Sequence, residues 1–346
     1  MGGAEKLIAE TLPIYKKQGM DVELLLTTNF NTPLSKELEK KIKTHRLTFN
    51  SYYDFRIIFK IIPFLKEYDI IHVHLFPPLY FVAIAKILSG AKAKLIFTEH
   101  CTSNRRMNKL YKPVERLIYN RYTKIVCISD EVRTILMNHI NIKANKFVII
   151  NNGINLTSIK EATPMKKSDI GCFNDSDFIV LMVAGFREQK DQKTLIRSLL
   201  YLPSNVKLMF AGDGALRSES EYLTEKLNLS NRVKFLGVRP DIPTLLQTAD
   251  VVVLSTHFEG LSLSSIEGMA SGKPFVASDV PGLSDIVAGA GILFPEGDEK
   301  KLAEEILKLK NDIVHYRQTS KKCQVRASEY DINKMVKKHI ELYNSL

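Results

Sequence analysis

Short runs of β-branched and apolar residues recur along this chain. They alternate with longer stretches in which apolar residues return every three or four positions. The runs at 22–27, 70–75, 94–98, 124–129 and 147–150 read as strands. The stretches at 4–18, 55–68, 114–122 and 131–139 read as amphipathic helices. The rhythm resumes after residue 175, with strands at 178–184, 207–212, 233–236, 251–255 and 274–278. Helices are expected near 191–202, 215–227, 241–248, 261–271, 281–288 and 298–310. Near-continuous apolar strands separated by helices indicate parallel sheets covered on both faces. The stretch 151–176 is polar, lacks periodicity and contains Asn152-Gly153, so a hinge is expected there. The fold class is α/β: two doubly wound, Rossmann-like domains facing each other across a cleft. The expected boundaries are 1–155, with a C-terminal helix at 332–346 joining it, a linker at 156–175, and a second domain at 176–331.

Composition changes this picture little. The 346 residues are 45% apolar and 25% charged, the balance of a globular chain, which excludes disordered and collagen-like classes. The longest stretch without a formal charge, 70–85, holds His72, His74 and Pro77-Pro78 and is too short and broken to span a bilayer. No basic start followed by an apolar segment marks a signal peptide. Cys101, Cys127, Cys172 and Cys323 show no pairing pattern and read as reduced thiols of a cytosolic protein. His72-x-His74 places two imidazoles on one face of a strand, but no third ligand of suitable spacing follows, so no metal site is expected.

Charge adds more. Residues 1–160 hold 25 Lys/Arg against 13 Asp/Glu, and residues 161–346 hold 24 against 25. The first half is basic and suggests an anionic partner: nucleic acid, a membrane surface or an anionic substrate. A solvated basic face without a partner is the plain alternative. Nucleic acid lacks support, because the chain has none of the aromatic and basic clusters of known modules.

Ligands of such sheets bind beyond the carboxyl ends of the strands. There the sequence places Gly185 through Lys190, Gly212-Asp213-Gly214, Glu259-Gly260-Leu261-Ser262 and Gly282. Glycines let backbone amides approach a phosphate, and a helix starting after Glu259 would turn its N-terminal N–H groups toward an anion. Glu259 and Glu267 lie about two helical turns apart, which suits an extended ligand. Either glutamate alone means little. No GxGxxG follows the first strand, which argues against a nicotinamide dehydrogenase.

The ordered series is more specific. Gly2-Gly3-Ala4-Glu5, Asp69 to His74, Thr98-Glu99-His100, Ile128-Ser129-Asp130, Asn152-Gly153-Ile154 and Gln189-Lys190-Asp191 occur in that order. Ala211 to Gly214, Phe235-Leu236-Gly237, Glu259 to Ser262, Glu267 to Ala270, Gly272-Lys273-Pro274 and Ala277 to Val280 complete it. In this order the chain resembles the retaining GT-B glycosyltransferases of family 4 over nearly its whole length. The resemblance implies transfer of a sugar from a nucleotide-diphosphate donor, with a UDP-sugar favoured, to a glycan or lipid-linked saccharide in cell-surface polysaccharide synthesis. It implies retention of configuration and no metal. Glu259 would face the donor sugar, Glu267 the nucleotide ribose, and Lys190 the diphosphate. The amides of Gly260, Leu261 and Ser262 would cradle the donor, Gly237 and Val238 would read the base, His100 would lie beside the reacting sugar, and Gly2-Gly3 would close on the diphosphate. The reaction expected is attack on the face that the diphosphate leaves, through an oxocarbenium-like transition state. Cytoplasmic location is implied, at the inner face of the membrane if the acceptor is lipid-linked. A nucleotide-sugar epimerase of the same architecture, or a non-catalytic nucleotide-sugar-binding subunit, would share most of these residues.

Two departures stand out. Gly185 occupies the place of the family's phosphate-binding arginine, and Arg187 lies two residues later, able to substitute for it. The family also has a central strand before the Gly-Gly loop, so about five strand residues are expected upstream of Met1. Tyr52-Tyr53 and the basic stretch from Arg105 to Lys112 fall where the family binds its acceptor. The helix at 55–68, with Arg56, Lys60 and Lys66, reads equally as an ordinary core helix or as one that docks on an anionic membrane. His257, two residues before Glu259, could line the donor site or lie on the surface.

Overall fold

The computed structural model describes residues 3–29, 32–47, 51–100, 108–171, 173–259 and 262–346. The chain forms two compact units. The first comprises residues 1–153 and 332–346, the second 154–331.

The first unit contains α1 (Gly3–Lys17), β1 (Leu24–Leu26), α2 (Pro33–Glu39), β2 (Thr44–Arg46), α3 (Arg56–Glu67), β3 (Ile70–His74) and α4 (Pro78–Ser89). It continues with β4 (Lys94–Glu99), α5 (Lys112–Tyr119), β5 (Lys124–Cys127), α6 (Asp130–Ile140) and β6 (Phe147–Ile149). Strands β3, β4, β5 and β6 lie side by side in chain order, all parallel. Right-handed crossovers then carry α4, α5 and α6 over one face, and α3 packs against α4. On the other side, Leu12 and Tyr15 of α1 cluster with Ile96 of β4, Val126 of β5 and Val336 of the C-terminal helix. Strands β1 and β2 form a separate parallel pair, Leu24 to Leu26 against Thr44 to Arg46. Between β1 and β3 lies a cavity of about 530 Å³, lined by Leu24, Leu26, Ile70, Val73 and their neighbours. Among the described residues, neither β1 nor β3 has a partner strand on that side.

The second unit contains α7 (Leu156–Lys160), β7 (Phe178–Val183), α8 (Gln192–Ser198), β8 (Val206–Ala211), α9 (Arg217–Lys226), β9 (Val233–Phe235) and α10 (Ile242–Thr248). Next come β10 (Val251–Leu254), α11 (Leu263–Ala270), β11 (Phe275–Ser278), α12 (Ser284–Val287), β12 (Ile292–Phe294), α13 (Glu299–Asn311) and α14 (Ile313–Ala327). Helix α15 (Ile332–Asn344) returns to the first unit. The sheet order is β12-β11-β10-β7-β8-β9, all parallel. The chain runs outward from β7 to β9, returns to lay β10 beside β7, then runs outward the other way. The direction reverses between β7 and β10, the doubly wound switch point where such folds bind ligands. Val180, Leu181, Val251, Val252, Val253 and Val276 are buried, because helices cover both faces.

Residues 156–175, expected as a linker, belong to the second unit. Leu156, Ile159, Ile170 and Phe173 are buried in its core. Their spacing matches no single period, because α7 is only five residues long and the rest is irregular. The chain passes between units at 153–154 and 331–332 instead.

Candidate donor site

The site is assembled at the switch point of the second unit. Strand β10 ends at Leu254, and Ser255 and Thr256, both buried, continue it into the loop that carries Glu259. Strand β7 ends at Val183, and its loop runs to Lys190, which bridges to Thr256. Three hydrogen bonds sew the loops together: His257 N–H and Thr256 Oγ1 donate to the Gln189 carbonyl at 2.9 and 2.8 Å, and Asp191 N–H donates to the Ser255 carbonyl at 3.0 Å. Asp191 then caps α8 through Thr194 N–H at 3.1 Å.

This stitching aims two side chains at each other. Lys190 Nζ donates to Glu259 Oε1, with Lys190 13% and Glu259 7% exposed. Gln189 Nε2 donates to the Phe258 carbonyl at 2.6 Å and reaches Glu259 Oε2 at 3.4 Å. A lysine and a glutamate this buried are stable together and costly apart. A diphosphate arriving here would give Lys190 a second anionic partner.

Glycine shapes the floor. A Cβ on Gly212, where φ is 148°, would stand 2.0 Å from the Ala184 carbonyl oxygen, so the loops after β7 and β8 touch backbone to backbone. Gly212 N–H donates to the Gly237 carbonyl at 2.8 Å, which ties the loop after β9 to the same floor. Gly237 has φ 69°, and Val238 beside it is exposed. Ser262, buried, caps α11 through Ser265 N–H at 3.3 Å. Glu267 lies on that helix, half-buried.

The expected residues are thus partly gathered. Lys190, Glu259, Gly185, Gly237, Ser262 and Glu267 occupy the loops after β7, β9 and β10 and the helix that follows β10. Arg187 is exposed, and its carbonyl accepts from Lys190 N–H at 2.8 Å. Gly2, Gly260 and Leu261 lie outside the described residues, as do Arg105 and Arg106 of the basic stretch from Arg105 to Lys112. Gly3 opens α1. His257 is on the surface, bonded through Nδ1 to Glu296 at 2.5 Å. Gln189 and Thr256 organise the site; Gln189 stands out in the sequence only as a neighbour of Lys190 in its motif, and Thr256 does not stand out. The polar pair Ser255-Thr256 at the end of an apolar strand was the available signal for the second.

His100 belongs to the first unit. Its Nε2 is 3.2 Å from His74 Nδ1, and His74 stacks on His72 with ring centroids 4.3 Å apart. His72 bonds Tyr343 Oη at 2.6 Å and Thr98 Oγ1 at 2.7 Å, and Tyr15 Oη bonds His339 Nδ1 at 2.8 Å. Burial holds His72 and His74 well below the ordinary imidazole value and pushes His100 and His339 down to about 4. No group of three or more His, Cys, Asp or Glu side chains placed to hold a metal occurs among the described residues. A DxD sequence is present, Asp175-Ser176-Asp177, but it forms the turn entering β7. There Asn174 N–H donates to Asp177 Oδ2 at 2.8 Å and Ser168 N–H to Asp175 Oδ1 at 3.2 Å, at the opposite end of the strand from the site.

Comparison with known proteins agrees with the geometry. Residues 1–158 match the model of Glycosyltransferase Family 4, and residues 166–327 that of Glycosyl transferases group 1. EpsD of Bacillus subtilis strain 168, named as a glycosyltransferase, is 31% identical over 260 residues, covering 70% of this chain and 68% of that protein. The UDP-Gal:alpha-D-GlcNAc-diphosphoundecaprenol alpha-1,3-galactosyltransferase of Escherichia coli is 26% identical over 295 residues, covering 80% and 76%. The crystal structure of Anabaena HepE in complex with UDP and glucose superposes with a TM-score of 0.83 at 24% identity, covering 100% of this chain and 96% of that one. With two Rossmann-like units built as described, the chain belongs to the family 4 glycosyltransferases and is a glycosyltransferase of the GT-B type.

Proposed function

We propose that this glycosyltransferase moves a sugar from a UDP-sugar to a lipid-linked saccharide, with retention of configuration and without a metal, at the inner face of a membrane. The observation that carries the reading is the buried Lys190–Glu259 pair at the switch point. The bond from the anomeric carbon to the diphosphate breaks while the acceptor hydroxyl bonds to that carbon on the same face. The hydroxyl proton goes to the departing phosphate oxygen. Lys190 offsets the charge that grows on the leaving group, the task a divalent ion performs in other transferases. Glu259 holds Lys190 in place and faces the sugar. UDP is favoured by two likenesses: the Escherichia coli relative is named for UDP-Gal and a diphosphoundecaprenol acceptor, and HepE was solved with UDP.

Thermal shift with UDP-, GDP- and ADP-sugars, followed by transfer assays in chelator, tests this. Stabilisation by a UDP-sugar, activity that survives chelation and an α-linked product from an α-donor are expected. No stabilisation by any nucleotide-sugar would overturn the donor reading, and loss of activity in chelator the metal-free one. Products formed from donor alone would favour an epimerase. In the same assay His100→Gln checks the role that the resemblance implies for His100.

A further inference from the structure

Large apolar side chains are exposed unevenly. Of the nineteen that are exposed among the described residues, eleven fall between Tyr52 and Leu117. Isolated exposed apolar residues are ordinary; a concentration on neighbouring elements marks an interaction surface. Here the elements are neighbours. Helices α4 and α5 lie on one face of the sheet, and α3 packs against α4. Tyr53 meets Phe76 with ring centroids 6.3 Å apart, Phe76 meets Tyr80 edge-on at 5.3 Å, and Tyr80 Oη donates to Glu115 of α5.

Two of these helices present apolar residues outward. On α3, Ile57, Ile58, Ile61 and Leu65 face the core, while Phe55 just before the helix and Phe59 are 74% and 65% exposed. On α5, Glu115 is buried while Val114 and Leu117 are exposed, and Leu110 in the preceding turn is 84% exposed. Water does not favour that arrangement; an apolar medium does.

Cations lie among the apolar residues. The described stretches 51–100 and 108–122 carry 10 Lys/Arg against 5 Asp/Glu. Two of those acids, Glu99 and Glu115, are buried, and Asp54 pairs with Arg56 at 2.7 Å. With Glu99 and Glu115 inside, the outward charge is more positive than the count, with Lys60 next to Phe59 and Arg116 between Val114 and Leu117. Aromatic and aliphatic residues interleaved with cations match a bilayer interface with anionic headgroups.

We infer that the outer face of α3–α5 docks on an anionic lipid surface, with Phe55, Phe59, Leu110, Val114 and Leu117 entering the headgroup–acyl boundary. The inference deepens the lipid-linked reading above and rests on it for its purpose. Its test uses neither donor nor acceptor, so each can fail alone.

The chain contains no tryptophan, so Phe59→Trp supplies a single reporter. With vesicles of phosphatidylcholine and phosphatidylglycerol, its emission should shift to the blue and be quenched by brominated acyl chains. With phosphatidylcholine alone it should not, and added salt should weaken the effect. Phe55→Ser with Phe59→Ser, and separately Val114→Ser with Leu117→Ser, should each lower vesicle affinity at least about tenfold, given the apolar surface removed. Unchanged circular-dichroism melts would show that both variants fold. The inference is overturned by no blue shift, by equal binding to both vesicle types, or by unchanged affinity of the folded variants. It is also overturned if the wild type dimerises and the serine variants are monomers, since the face would then belong to a second copy.

Discussion

Lys190 and Glu259 are 69 residues apart in the chain and share a hydrogen bond in the fold. Lys190→Ala should cut turnover by about a hundredfold or more, the usual effect of losing one key electrostatic group. It also leaves Glu259 buried without its partner, so stability should fall alongside. Glu259→Gln keeps the shape and one acceptor, and should lower kcat with a smaller change in melting temperature. Turnover near that of the wild type in either purified variant would sink the assigned roles. Gly212→Ala tests the floor: a Cβ would sit 2.0 Å from a backbone oxygen that has nowhere to go, so a loss of about 3 kcal/mol or failure to fold is expected. Urea titration of the variant reads this directly. Lys190, Glu259 and Gly212 were legible because the carboxyl ends of apolar strands are visible in one dimension. The part played by Gln189 and Thr256 was not, because the Gln189 carbonyl is one that any residue offers and the Thr256 hydroxyl finds it only once β7 and β10 lie side by side.

Helix α11 shows how an element serves the site. It starts at a buried serine cap and buries Ile266, Met269 and Ala270, which fixes where Glu267 points. Ser262→Ala should cost about 1 kcal/mol of stability and weaken nucleotide-sugar binding, measured as a raised donor KM; an unchanged melting temperature would show that the cap is dispensable. Elements with clean periodicity were predicted to within a few residues, β7, β8, β10 and α13 among them. Others were hidden for stated reasons. Helix α4 buries Leu79, Phe81, Val82, Ala83 and Ala85 and also carries apolar residues such as Ile87 and Leu88 outside, so it continues the apolar run of β3 without a polar stripe. Helix α14 buries Thr319, Ser320, Cys323 and Ala327, small or polar residues that carry no hydrophobic period. Strands β2 and β12 have three residues each, too few to show alternation.

Of the two units, the first carries a cluster of four histidines and with it a response to acid. In the first, His339 is 6% exposed and its folded value is pushed down to about 4, as is that of His100, while His72 and His74 lie well below 6.5. The hydroxyls of Tyr15, Tyr343 and Thr98 face this cluster, and Glu5 lies near enough to offset part of the effect on His100. Above pH 6.5 folded and unfolded states are both neutral at these positions and nothing is gained or lost. As pH falls from 6.5 toward 4 the unfolded chain takes up protons that the folded unit refuses, so stability drops, by roughly 3 kcal/mol for His339 alone. Hydrogen exchange followed peptide by peptide should show peptides of α15, β3 and β4 losing protection across that range, and His339→Gln should blunt the loss. A flat profile would refute it. No helix among the described residues is long and apolar enough to cross a membrane, which agrees with the broken run at 70–85. The alternation of strands and helices, the two-domain α/β class, the charge asymmetry and the family's ordered motifs were determined by the sequence itself, because each is a property of neighbouring residues. The pairing of Lys190 with Glu259, the approach of His100 and His339 to His72 and His74, the packing of 156–175 into the second unit and the gathering of exposed phenylalanines and leucines on α3–α5 were decided by tertiary structure alone. Each depends on which strand lies beside which, and that choice is made by burying the whole sheet at once rather than by any local pattern.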